Sequence, residues 1–207
     1  INNNGHLQNI DIQFFKSGFT FNNVGGVVEH CSLRSGIQKG IQGLSTSHSL
    51  TVSNCLVYKN YDGIIAYTAG GFAVEDSYLI RNEYAIRPQF CSGTISNNNF
   101  HNNTFDIYQT NAETSINLNN FYFSSYTCIT PSYDTLLRSN NFYKVGSYFL
   151  MIRGDAGSAS FVNANIDAKY NYWGVADIGT YILDKYDNDQ YPTSPCPHEV
   201  LYMPKTN

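Results

Sequence analysis

The sequence predicts an all-β fold: one chain wound into a parallel β-helix of about seven to eight turns, each turn a repeat of the same short motif. A capping helix and a Pro-rich tail are expected to close its C-terminal end. Three observations carry this expectation. A weak motif recurs at nearly constant spacing, the repeats hold short β-type segments and no helical stretch, and asparagine and aromatic residues stand where most domains carry charge.

The repeat is clearest around "NNNFHNNTF". Asn97 is followed by Asn98, by apolar Phe100 and, ten residues on, by Ile107. The same frame fits Asn119 with Asn120, Tyr122 and Ile129, and Asn140 with Asn141, Tyr143 and Leu150. Upstream it fits Asp76 with Ser77, Leu79 and Ile86, and Asn54 with Cys55, Val57 and Ile64, while His30 and Asn9 open weaker copies. These anchors are 21, 24, 22, 21, 22 and 21 residues apart. A leucine-rich repeat has a period of about 20–29 residues, but its leucine ladder is missing here.

In a parallel coil, equivalent positions stack at about 4.8 Å. The residue after each anchor becomes a column of Cys31, Cys55, Ser77, Asn98, Asn120 and Asn141, with Asn171 continuing it. Stacked amides can bond along the axis, and asparagine tolerates the left-handed dihedrals of a tight corner. Leu33, Val57, Leu79, Phe100, Tyr122 and Tyr143 form an apolar column, and Ile64, Ile86, Ile107, Ile129 and Leu150 form another. Cys31 and Cys55 share the ladder position on adjacent turns. A disulfide or a pair of stacked free thiols both fit that spacing.

The frame returns at Tyr170, Asn171 and Trp173, after an inserted loop that contains Arg153-Gly154-Asp155, the tripeptide read by integrins. The coil therefore spans residues 1–174, and residues 175–207 form the cap. Within the cap, Asp177 is placed to start a helix carrying Ile178, Tyr181, Ile182 and Tyr186 on one face. Residues Ile1–Gly5 are too short and polar to plug a first turn, so further coil or a separate cap is expected upstream.

Composition narrows the functional classes. The chain has 207 residues, room for one sizeable domain, and only 14% are charged, for a net charge of −4. Lacking any basic cluster, it makes a poor nucleic-acid partner. No window of 18 consecutive apolar residues is present, so no membrane insertion by a helix is expected. The five cysteines show no C-x-x-C spacing, the histidines are scattered, and no metal or cofactor is expected. Asn102-Asn103-Thr104 matches the N-glycosylation sequon, a match that an Asn-rich chain also produces by chance.

The turns "TISNNNFHNNTFDI" and "INLNNFYFSSYTCI", with "IDAKYNYWG" and "IGTYILDKYDN" after them, resemble the right-handed parallel β-helix repeats of the pectin-lyase-like superfamily. The NYWG stretch resembles the terminal turn of its large secreted or cell-surface members. The resemblance covers about Leu7 to Asn188. It implies a right-handed coil and a secreted or cell-surface setting. It leaves open polysaccharide-active enzymes and non-catalytic adhesion modules alike.

Enzymes of that superfamily place catalytic groups outside the sheet on consecutive turns. Here the outward positions after the isoleucine column are Ile65, Arg87, Tyr108, Thr130 and Met151, and two further on come Tyr67, Gln89, Thr110, Ser132 and Arg153. Neither column holds a carboxylate. The nearest acids are Asp62, Glu83 and Asp106, which with Arg87 and Tyr108 are the candidates for an acid–base patch, or else are solvated corner residues. Tyr67, Arg87, Tyr108, Arg153 and Asp155 are the candidates for ligand contact. Tyr84, Phe105 and Tyr148, with Tyr61 and Tyr126 one position earlier, suit sugar faces or a protein partner if they point outward, and are core if they point inward. A regular threonine column, as ice binding requires, is absent. The expected function is a non-catalytic extracellular rod, structural, adhesive or glycan-binding, with a polysaccharide, a cell-surface protein or a second copy as partner. A polysaccharide lyase, hydrolase or epimerase is the alternative.

Overall fold

The computed structural model describes residues 5–45, 47–68, 70–130, 135–143, 147–151, 166–174, 182–183 and 200–201. Its strands are short, mostly three to five residues, because the chain must bend at three corners in every turn. One turn runs Gly5–Gln8, Asp11–Gln13, Ser17–Asn22, and each segment starts one of three sheets. The sheets hold nine, seven and eight strands, and every neighbouring strand belongs to the next turn of the coil. Every strand pairing among the described residues is parallel, as a chain that keeps circling in one direction requires.

Seven strands in the second sheet make six successive pairings, from Asp11–Gln13 to Asn141–Phe142. The described coil thus advances about six turns, fewer than the seven to eight that the repeat predicts. The shortfall lies at the C-terminal end. The turn of Asn171 joins the second sheet only through an isolated bridge, Asn141 to Tyr172. The expected closing helix falls largely outside the described residues. Two short pieces of that segment are strands: Ile182–Leu183 pairs with Leu150 and Met151 in the third sheet, and Val200–Leu201 pairs with Ile166 and Asp167 in the first. Ile182, expected on a helix, is therefore in a strand.

The core is three columns, one per sheet. Val28, Val52, Val74, Ile95, Ile116 and Leu137 fill the first sheet's inner face, and Ile41, Ile64, Ile86, Ile107, Ile129 and Leu150 fill the third's; all have no exposed surface. The isoleucine column is the expected one. The second column runs Leu33, Val57, Leu79, Phe100, Phe121, Phe142 and ends on Trp173. Its aromatic part is a continuous stack, with ring centroids 4.7, 4.7 and 4.5 Å apart and planes within 10° of parallel. One turn's rise sets that spacing. Tyr122 and Tyr143, expected in this column, instead face outward one position later. Gly174 closes the motif at φ 65°, and a Cβ there would lie 2.6 Å from Phe142 O, so only glycine fits.

At the first corner a left-handed residue precedes the ladder residue in every turn: Asn9, His30, Asn54, Asp76, Asn97, Leu118, Ser139 and Tyr170, with φ between 51° and 63°. The ladder itself is Cys31, Cys55, Ser77, Asn98, Asn119, Asn140 and Asn171. Asn98 and Asn171 hold their expected places. Asn120 and Asn141 do not: they stack with Asn99 in the neighbouring outward column, one residue later. The shift has a local cause. The inner columns advance by 21 residues from Asn98 to Asn119 but by 22 from Ile107 to Ile129, so the corner at Phe123–Tyr126 holds one extra residue. There Tyr126 and Thr127 both donate to Thr104 O.

Asn98, Asn119 and Asn140 each tie three turns together. Asn119 Oδ1 accepts the Asn98 N–H at 2.9 Å, and its Nδ2 donates to Ile95 O at 2.9 Å and to Asn140 Oδ1 at 3.0 Å. Corner backbone groups that no strand can pair are satisfied in this way. The thiols take the same place earlier in the coil and are free. Cys31 donates to Glu29 O and Cys55 to Ser53 O. Burial pushes the Cys55 thiol up to about 11, and it also raises Cys91.

Candidate functional site

The third sheet carries most of the sequence-predicted residues, but it does not gather the three acids. They fall on three different columns. Asp62, 5% exposed, opens its strand directly beside Tyr84 and accepts from Arg87 Nη1 at 2.8 Å. Glu83 sits one position before that column, at the corner, where it accepts from Thr104 Oγ1 at 3.1 Å. Asp106 lies one position after it and has no exposed surface; Asn103 Nδ2 donates to it at 2.8 Å and Ser124 Oγ also donates. The reason is a bend at the start of each strand. Two successive residues are buried there in three consecutive turns: Gly63 and Ile64, Ala85 and Ile86, Asp106 and Ile107. A buried Asp106 does not belong to an outward acid–base patch.

The aromatics do gather, and on the outside. Tyr84 and Phe105 are register partners whose rings stack at 4.9 Å, 6° from parallel. Tyr108 touches both, at 5.4 and 5.5 Å, standing nearly perpendicular to each. A ring nearly equidistant from two stacked rings and steeply inclined to both packs against the side of the stack. Tyr61 meets Tyr84 edge-on, Tyr126 meets Phe105, and Tyr148 continues from Tyr126. The Arg87 guanidinium lies 4.7 Å from the Tyr84 ring centre. Burial, with the neighbouring Tyr61 second, raises the Tyr84 phenol above its ordinary range. The result is a half-buried aromatic strip along the coil axis, spanning five turns, whose guanidinium is already neutralised by Asp62.

The other ligand candidates are dispersed. Tyr67 is exposed further along its strand, against Phe90 at 5.5 Å, and Arg153 and Asp155 lie outside the described residues. Ile65, in the outward column, is buried. The second sheet has an outward aromatic run of its own, in which Tyr122 and Tyr143 stack at 4.6 Å beside the bonded amides of Asn99, Asn120 and Asn141. A shallow depression of about 450 Å³ lies on the first sheet, away from the aromatic strip, and includes Glu113, Ser115, Leu136 and Asp167. A hydrogen bond from Arg138 holds the Asp167 carboxyl below the usual range. Among the described residues no cluster of three His, Cys, Asp or Glu could hold a metal ion.

Sequence reasoning missed a second buried ladder. At the next corner Asn60 Oδ1 accepts the Gly36 N–H, Asn82 Oδ1 accepts the Asn60 N–H, and Asn103 Oδ1 accepts the Asn82 N–H, all at 2.8–2.9 Å. Its signal was present: these asparagines are 22 and 21 residues apart, the period of the coil.

These features define a parallel β-helix protein built on buried polar ladders. No family model, no curated protein and no solved structure matches the chain.

Proposed function

We propose that the protein is a non-catalytic extracellular module, a stiff rod that binds a glycan along the aromatic strip of its third sheet. The observation that carries this reading is Tyr108 packed steeply against the side of the stacked Tyr84 and Phe105 rings. It makes a broad aromatic platform with Tyr61, Tyr126 and Tyr148 in line with it. Flat rings suit the apolar faces of sugar rings. The one charge pair beside the platform is internally matched, which favours a neutral or weakly charged chain over a strongly acidic one. Resemblance of the repeats to the pectin-lyase-like superfamily supports the extracellular setting and a right-handed coil. The burial of Asp106 weighs against the enzymatic alternative.

A screen of immobilised neutral and acidic polysaccharides, with affinity electrophoresis, tests the reading. Tyr108→Ala is expected to weaken binding about tenfold, the equivalent of ~1.4 kcal/mol, with the β-rich circular dichroism spectrum retained. Measurable turnover of any bound polysaccharide, abolished in Asp62→Ala or Glu83→Ala, would replace the binding module with an enzyme. A screen with no glycan retained by the wild-type protein would remove the proposal.

A further inference from the structure

The corner between the second and third sheets brings together features that point to a covalent modification. Asn102 is exposed at a left-handed corner with φ 54°, its backbone N–H held by Tyr122 O. Thr104, two residues on, is half-buried, and its hydroxyl donates to Glu83 at 3.1 Å. One turn further along the axis, the equivalent left-handed corner position is Phe123, which is 48% exposed. The Phe123 ring leans back over His101, the residue before Asn102, at 5.5 Å between centroids. A half-exposed aromatic ring thus stands beside an exposed sequon asparagine, although exposing such a ring is unfavourable.

We infer that Asn102 is an N-glycosylation site and that the first sugars of its glycan pack on Phe123. This inference rests on the extracellular reading above, because the modifying enzyme works in the secretory pathway. The donor is a polyprenyl-diphosphate-linked oligosaccharide. Asn102 Nδ2 forms a bond to its anomeric carbon, the anomeric C–O bond breaks, polyprenyl diphosphate leaves, and the amide gives up one proton. The corner position matters in two ways. A glycan there projects away from all three sheets and interrupts no strand pairing. It also borders the aromatic strip, with Tyr108 six residues further on, at the far end of the strand Phe105–Tyr108.

The test is expression of the full chain behind a secretory signal in a glycosylating eukaryotic host, with peptide mapping of both secreted and cell-retained protein. A glycan on the Asn102 peptide is expected. It should be released by peptide-N-glycosidase with conversion of Asn102 to Asp, and lost in Asn102→Asp and in Thr104→Val. Aspartate tolerates the left-handed corner, so the first variant keeps the fold. Enzymatic removal of the glycan should lower the melting temperature of the wild type but not of Phe123→Ala. Unmodified Asn102 in both fractions overturns the site, and an equal drop in both proteins overturns the packing on Phe123. Because the signal is supplied, failure of the native chain to leave its cell would refute the extracellular reading without touching this result.

Discussion

Replacing Asn119 should cost the protein far more than replacing its neighbour Asn120, although the two are adjacent asparagines in the same repeat. In Asn119→Ala, the buried Asn98 N–H loses its acceptor and Ile95 O loses the amide that caps it. Each buried polar group left unpaired costs about 1–3 kcal/mol, so the expected loss is ~2–6 kcal/mol. That is a large fraction of the ~5–15 kcal/mol by which a domain is usually stable. Asn120 makes comparable contacts, to Asn99 at 3.1 Å and from Asn141 at 2.8 Å, but it is half-buried. Water can replace those bonds, so Asn120→Ala should cost under about 1 kcal/mol. Urea unfolding followed by far-ultraviolet circular dichroism measures both. The fluorescence of Trp173, the single tryptophan, reports on the last turn separately, which matters because stacked repeats need not unfold in one step. Equal losses, or a larger loss for Asn120, would refute the assignment of the dry ladder to Asn98, Asn119, Asn140 and Asn171.

Phe121→Ala, which opens a gap in the middle of the ring stack, should destabilise by ~3–5 kcal/mol in the same assay, and Phe121→Leu by clearly less. Gly63→Ala sets a Cβ 2.5 Å from Ala85 O inside the coil, where backbone cannot yield, and should cost ~1–3 kcal/mol. The Cys55 thiol gives a pH signature. Its folded pKa of about 11 lies above the ordinary thiol value of 9.0, so between those values the unfolded chain binds fewer protons than the folded one. Stability should then be fully present below pH ~9 and fall as pH rises toward ~11, and Cys55→Ala should flatten that fall in melting curves taken across the range.

The columns most legible in the sequence were those whose residue type never changes. Ile64, Ile86, Ile107, Ile129 and Leu150 are apolar in every turn, so their register survives an extra residue elsewhere in the repeat. The asparagines were ambiguous because they come in pairs or triplets. Asn119 and Asn120 each fit a ladder, and Phe121 and Tyr122 each fit the apolar column behind it. Preference for asparagine at left-handed corners pointed to the wrong member, since Leu118 and Ser139 occupy those corners here. Strict alternation about Ile107 would turn Asp106 outward, and the bend at the strand start turns it in.

By itself the sequence determined that the chain coils, at what period, and which residues must line its third sheet, because a repeated apolar position at constant spacing has only one way to stay dry. It also showed that asparagine would serve the corners. Only the tertiary structure decided which asparagines are buried, that Asp106 is buried while Glu83 stands at the corner, and that Tyr84, Phe105 and Tyr108 pack together. Those outcomes depend on a single inserted corner residue and on a bend of the backbone. Either one reverses which side of the sheet a side chain faces while leaving the repeat itself almost unchanged.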